Sequence, residues 1–277
     1  MSPRVRLAAM LPLLAVAWPV LAGGAPTGAA ADWQFSVAAL SVHSRWDEHD
    51  DEDRRLLQER GRRPGLMLGL ARQQGPWTLA LAWRGQRGGR DYQGQSNAGT
   101  PLRTRSALRD DALQLTLWRA LPVASLPLQA GLQLRGDRRE RTLAGVGAVQ
   151  GYPERHQAWT LWAGLRGEQA LPAGWSLGGE LWLGGGPRAH VDVALPQADP
   201  VRLPTGARSG LAGAVELATP RSGGGWRARL ALQGLNERVR AGEARPLWRE
   251  GALVGGARQP AHRLLESGLV LGLDGRF

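Results

Sequence analysis

The feature that most constrains this chain is a two-residue period that returns again and again between Trp33 and its last residue. In Trp77–Arg84 it is plainest: Trp77, Leu79, Leu81 and Trp83 alternate with Thr78, Ala80, Ala82 and Arg84. Successive side chains of a strand point to opposite faces, so such a segment makes one apolar and one small or polar face. The same pattern reads over Trp33–His43, Gly65–Arg72, Asp111–Ala120, Leu126–Asp137, Gln157–Arg166, Trp175–Gly185, Ser209–Ala218, Trp226–Leu235 and Leu264–Phe277. With Trp77–Arg84 that makes ten strands and an all-β chain. The connections alternate between tight and long. Gln74–Pro76, Leu121–Pro127, Leu171–Gly174 and Thr219–Gly225 are tight turns, rich in Pro and Gly. Residues 44–63, 88–108, 138–155, 187–206 and 236–261 are read as long polar loops. Strands joined this way run up and down, and both ends of the chain fall on the tight-turn side, which requires an even number. Eight strands result if two weak ones are loop, and twelve if a long loop hides a hairpin.

Tryptophan placement says which way the apolar face points. Trp33, Trp77, Trp175 and Trp226 each open an odd-numbered strand, on the tight-turn side. A soluble β-sandwich buries tryptophan at strand centres. A girdle of tryptophan at one level suits a membrane interface, where the ring is apolar and its N–H is wet. The expectation is a barrel with its apolar face outward. Mean hydropathy is only -0.29, as alternation dictates, and after the first residues no apolar run reaches the ~18 residues of a spanning helix.

Residues 1–31 read as a cleaved export signal: Arg4 and Arg6, then the apolar stretch Leu7–Leu21, then small residues, with cleavage after Ala31 or after Ala22. The barrel is then residues 32–277. With no cysteine, a lipoprotein anchor, a disulfide or a thiolate site is excluded. Lysine is absent, so all 35 basic residues are arginine, against 24 acids. The arginines are scattered over strands and loops, with no basic helix or compact run, which argues against nucleic acid. Anionic lipopolysaccharide is the partner such a surface would meet outside a cell.

The tail LLESGLVLGLDGRF, with Leu269, Leu271, Leu273 and the terminal Phe277 on one face, resembles the closing strand of Gram-negative outer-membrane β-barrel proteins. That resemblance implies a transmembrane antiparallel up-and-down β-barrel in the outer membrane. It also implies a carboxy-terminal signal read by the barrel-assembly machinery, surrounding outer-membrane lipids, a monomer, and no cofactor.

Alternation sends Arg84, Arg135, Arg166, Glu180, Glu216, Arg227, Arg229 and Glu266 into the lumen, along with Trp118, Trp162 and Trp182. A barrel of about ten strands is narrow, so these charges are expected to pair and fill it. An arginine-lined anion channel is the alternative. Asp91, at the start of the second long loop, and His190 and Asp192, at the start of the fourth, resemble the loop placement of the catalytic pairs in omptins, ten-stranded outer-membrane proteases. An omptin-like peptidase would use these three to activate a water. The pattern departs from that family in having one Asp in the second loop and the order His190-Val191-Asp192. Ser96-Asn97-Ala98-Gly99 resembles the active-site segment of lipid A 3-O-deacylases, but Gly94 stands where that family has its histidine, so no base is supplied. The acidic run Asp47–Asp53 has no calcium-loop spacing, and no metal site is read. The leading expectation is a non-enzymatic barrel whose long loops contact lipopolysaccharide or another surface. An omptin-like hydrolase and a narrow channel are the alternatives.

Overall fold

The computed structural model describes residues 32–95, 99–122 and 127–277. The expected export signal and the Ser96-Asn97-Ala98 stretch lie outside them. Ten long strands form the wall: β1 (Asp32–His49), β2 (Arg55–Gln74), β3 (Trp77–Gln95), β4 (Pro101–Ala120), β5 (Leu128–Leu143), β6 (Pro153–Ala170), β7 (Ser176–Gly186), β10 (Arg208–Ala218), β11 (Arg227–Val239) and β14 (Ala261–Arg276). Two short hairpins are added to the ten: β8 (His190–Val193) with β9 (Val201–Pro204), joined to the same sheet through β6, and β12 (Arg245–Arg249) with β13 (Ala252–Ala257), a separate two-stranded sheet.

The wall order is β5-β4-β3-β2-β1-β14-β11-β10-β7-β6, and β5 also pairs with β6, so the antiparallel sheet closes on itself. Closure satisfies the backbone of every wall strand on both sides and leaves no edge. The tail completes the ring. β14 pairs with β1 from Gln34↔Arg276 to His49↔Ala261, and with β11 on its other side. Trp33 and Phe277 exchange backbone hydrogen bonds of 3.1 and 3.3 Å.

The two faces are sorted as the alternation requires, with polarity inverted relative to a soluble barrel. Leu68, Leu81, Leu115, Leu134, Leu161, Leu183, Leu232 and Leu271 are exposed on the outside, Leu232 by 65%. Inside, Ala38, Leu40, Val42, Met67, Ala80, Ala82 and Val270 pack together beside charged and amide side chains. An apolar belt this continuous around a polar interior is the pattern of a barrel whose surroundings are apolar. Trp33, Trp77, Trp175 and Trp226 are exposed at the tight-turn end.

The structure corrects the sequence reading at the other end. The segments read as loops over 44–63, 88–108 and 138–155 are largely strand: β1 runs on to His49, β2 starts at Arg55, and β3 and β4 reach Gln95 and Pro101. Charge density pointed to loops, but the alternation continues through the charged residues. Glu59 and Arg63 are buried while Arg60 and Arg62 between them are exposed. The fourth long loop contains the β8–β9 hairpin, because Val191, Val193 and Leu203 bury on one face with Tyr152 and Leu195 against them. The fifth contains β12–β13. Its tip, Glu250-Gly251, has positive φ at both residues, 52° and 83°, the geometry of a tight two-residue hairpin turn.

Candidate functional site: a filled lumen and a charged mouth

From the tight-turn end upward, the lumen is closed in layers. The first is ionic. Arg229 Nε lies 2.9 Å from Asp274 and its Nη1 donates to Glu216 at 3.3 Å. Arg227 reaches Glu168 at 3.1 Å and Asp274 at 3.4 Å. Arg166 donates to Gln129 at 3.0 Å and lies 4.3 Å over the Trp118 ring. Glu180 stands in register with Arg166 and accepts the Trp182 indole N–H at 3.4 Å.

Above it sits a tryptophan layer. Trp118, Trp162 and Trp182 are buried, and the Trp118 and Trp182 rings lie 4.6 Å apart. Their rings rest on glycine backbone. A Cβ on Gly131 would lie 2.4 Å from the Trp118 ring, and one on Gly164 would lie 2.4 Å from the Trp182 ring. No larger residue fits there without displacing an indole. This is why glycine interrupts otherwise good strand sequence.

The third layer fills the loop-end half, the mouth. Arg63 bridges Asp110 and Glu266, and Arg84 approaches Glu266 at 3.6 Å. Arg139 pairs with Asp110 at 2.8 Å, Arg135 with Asp137 at 2.8 Å, and Arg208 with Glu237 at 3.4 Å. Arg141 gathers three carboxylates, Glu154 at 2.7 Å, Glu59 at 2.9 Å and Glu48 at 3.4 Å, and Arg90 lies 3.6 Å from Glu59. The seven arginines named in this layer are matched by seven carboxylates. Trp46 is buried within the group, stacked on His262 at 4.0 Å and edge-on to His156 at 5.6 Å, its N–H on Glu48 at 2.9 Å. A gap of about 30 Å³ remains among Asp110, Asp137, Arg139, His156 and Glu237, space for a few waters.

The Arg141 group lies beyond the outward apolar belt and is tuned by its surroundings. Burial pushes the Glu48 carboxyl up to about 7, with Arg141 opposing and Glu154 adding to the rise. Burial works the same way on Glu154, but Arg141 and His156 overcome it and hold that group down to about 2. His156, 3.1 Å from Glu154, is lowered by burial, with Glu154 opposing. The acid–imidazole contact among the described residues is therefore Glu154–His156, both side chains buried and Trp46 edge-on to the imidazole.

The residues picked from sequence for water activation are not brought together. Asp91 is exposed on the outer face of β3, between the buried Arg90 and Tyr92. His190 and Asp192 lie on the face of β8 opposite the buried Val191. Asp192 is bonded at 2.7 Å to Arg202, which holds its carboxyl below the usual range. Since β8 pairs with β6, the strands β4, β5 and β6 separate these two places around the wall. Val191 takes the inward position that a catalytic histidine would need.

Just beyond the apolar belt, the outer face of β2–β4 carries Arg60, Arg62, Arg87 and Arg105, all exposed. Among the described residues none of the four forms an ion pair, and Arg62 donates to Ser41 at 2.6 Å. Asp91 stands in register between Arg60 and Arg105. The contrast with the balanced lumen is sharp: the positive surplus of this chain is on its outside.

Closed antiparallel strands, an inverted polarity and a filled lumen together define the outer-membrane type of β-barrel. Among solved structures, one shares this fold and two are more distant. The outer-membrane protease OmpT from Escherichia coli superposes with a TM-score of 0.54 at 14% identity, over 89% of this chain and 96% of that one. The translocator domain of the autotransporter NalP from Neisseria meningitidis, at 12% identity over 88% of each chain, gives 0.43. The outer-membrane protein AlkL, at 13% identity over 95% of this chain and 96% of that one, gives 0.42. At 14% identity the likeness to OmpT is one of fold. No family model and no curated protein sequence matches the chain.

Proposed function

We propose that this chain is a sealed, non-enzymatic outer-membrane barrel of a Gram-negative bacterium that binds lipopolysaccharide through the arginines on the outer face of β2–β4. The tight-turn end then faces the periplasm and the mouth faces outward. The observation that carries the reading is the sorting of charge. Buried arginines are matched by carboxylates, while Arg62, Arg87 and Arg105 form no ion pair among the described residues and sit just beyond the apolar belt, the level at which phosphorylated headgroups would meet the acyl region. Guanidinium groups are suited to phosphate by their planar fork of donors.

Replacing Arg62, Arg87 and Arg105 together by Gln is expected to weaken binding of purified lipopolysaccharide about 100-fold, from about 1 kcal/mol per arginine near an anionic surface. Unchanged binding would end this reading. The filled lumen also leads to no ion conductance in planar bilayers, and steady single-channel currents would favour the channel alternative. A hydrolase reading draws on one feature, the Glu154–His156 contact, but both residues are buried and Arg141 engages Glu154 at 2.7 Å. Cleavage of any peptide by the purified barrel, abolished by His156→Ala, would move the assignment to that site.

A further inference from the structure

The belt is not uniform. Outward positions on β4–β7 align in two rows: Arg119, Ala130, Leu165, Leu181, and above them Leu117, Leu132, Ala163, Leu183. Ala130 and Ala163 break rows of long side chains, and the two steps join in an open groove of about 540 Å³ whose lining is almost wholly apolar. At its lower end, beside the tight turns, Arg119 lies 5.2 Å over the Trp77 ring. Among the described residues Arg119 has no carboxylate partner.

We propose that this groove is a binding site for one phospholipid of the periplasmic leaflet. An acyl chain lies over Ala130 and Ala163 between Leu132 and Leu165, and the phosphate meets Arg119. The walls fit a saturated hydrocarbon chain, because apart from Trp77 and Arg119 at the lower end they offer no hydrogen-bonding side chain. The single cation at one end selects a ligand with one anionic head and a long apolar tail. The end at which it sits selects the leaflet, since Trp77 and Arg119 adjoin the Gln74–Trp77 turn and not the mouth. Lipopolysaccharide would need its cations at the opposite end of the belt. The site is thus separate from Arg62, Arg87 and Arg105, and either assignment can fail without the other.

The test reconstitutes the barrel in vesicles containing equal parts phosphatidylethanolamine and phosphatidylglycerol, with lipopolysaccharide added. It then extracts the protein in mild detergent and counts retained lipids by native mass spectrometry. Wild type is expected to keep one phospholipid. Arg119→Glu is expected to lower retention about five-fold or more, the scale of one surface arginine, and Ala163→Phe to abolish it by filling the floor. Both changes lie on the outer surface, and heat-modifiable migration checks that the variants are folded. Equal retention by wild type and both variants, no retained phospholipid in wild type, or lipopolysaccharide held in its place would each overturn the proposal.

Discussion

Arg141 is the most informative residue to remove. Its guanidinium lies within 3.4 Å of Glu48, Glu59 and Glu154, and among the described residues no other arginine pairs with Glu48 or Glu154. Replacing it with Gln leaves carboxylates enclosed beside Trp46 with little water to solvate them. Removing one partner of a buried ion pair costs about 3–5 kcal/mol. The loss is expected to depend on pH. Glu48 already titrates at about 7 in the native state, and removing Arg141 raises it and its neighbours further. At pH 8 the variant must bury ionised groups, whereas near pH 5 they take up protons and the penalty shrinks. Guanidinium unfolding in micelles, followed by tryptophan fluorescence, should show a loss of about 3–5 kcal/mol at pH 8 that falls by at least about 1.4 kcal/mol at pH 5, one pK unit of linkage. A loss under about 1 kcal/mol at pH 8, or an equal loss at both pH values, would refute the account of the mouth as an electrostatically closed plug.

Two further outcomes follow from the same structure. Glu48→Gln removes a group whose native pKa of about 7 exceeds its ordinary 4.5. The stability tied to that proton is present below about 4.5 and lost as pH rises through 7, so the variant should gain up to about 3 kcal/mol at pH 8 and little at pH 4, by the same unfolding assay. Deleting Phe277 removes the partner that exchanges backbone hydrogen bonds with Trp33 at the seam, and should impair insertion more than any loop change. Wild-type levels of the folded, heat-modifiable form in outer-membrane fractions would contradict this.

The strand alternation made the wall and its inside-out polarity legible, because a two-residue period survives any choice of residue at the inward positions. It also placed Arg229, Glu216 and Glu266 inward, where the structure has them paired. What was missed lies where charge density masked the same period. Glu154 and His156 share parity with Ala158, Thr160 and Trp162, and Glu59 and Arg63 share parity with Met67. Following parity past the first charged residue would have found the mouth cluster. Convergence of Arg141 on carboxylates from three strands depends on closure and stagger, which no local pattern encodes. The spacing His190-Val191-Asp192 placed two residues on one face, but burial of Val191 decided that the face is the outer one.

The length of the strands beyond the apolar belt has a geometric consequence. β3 has 19 residues; at ~3.3 Å each, with a tilt near 40°, it spans roughly 50 Å along the barrel axis. The hydrocarbon-facing belt of such barrels takes up roughly 25 Å. About 20 Å of stiff, hydrogen-bonded wall therefore projects on the mouth side. Most of the chain's reach away from the bilayer is rigid masonry rather than tether, and the β8–β9 and β12–β13 hairpins are held aloft on it at a fixed height.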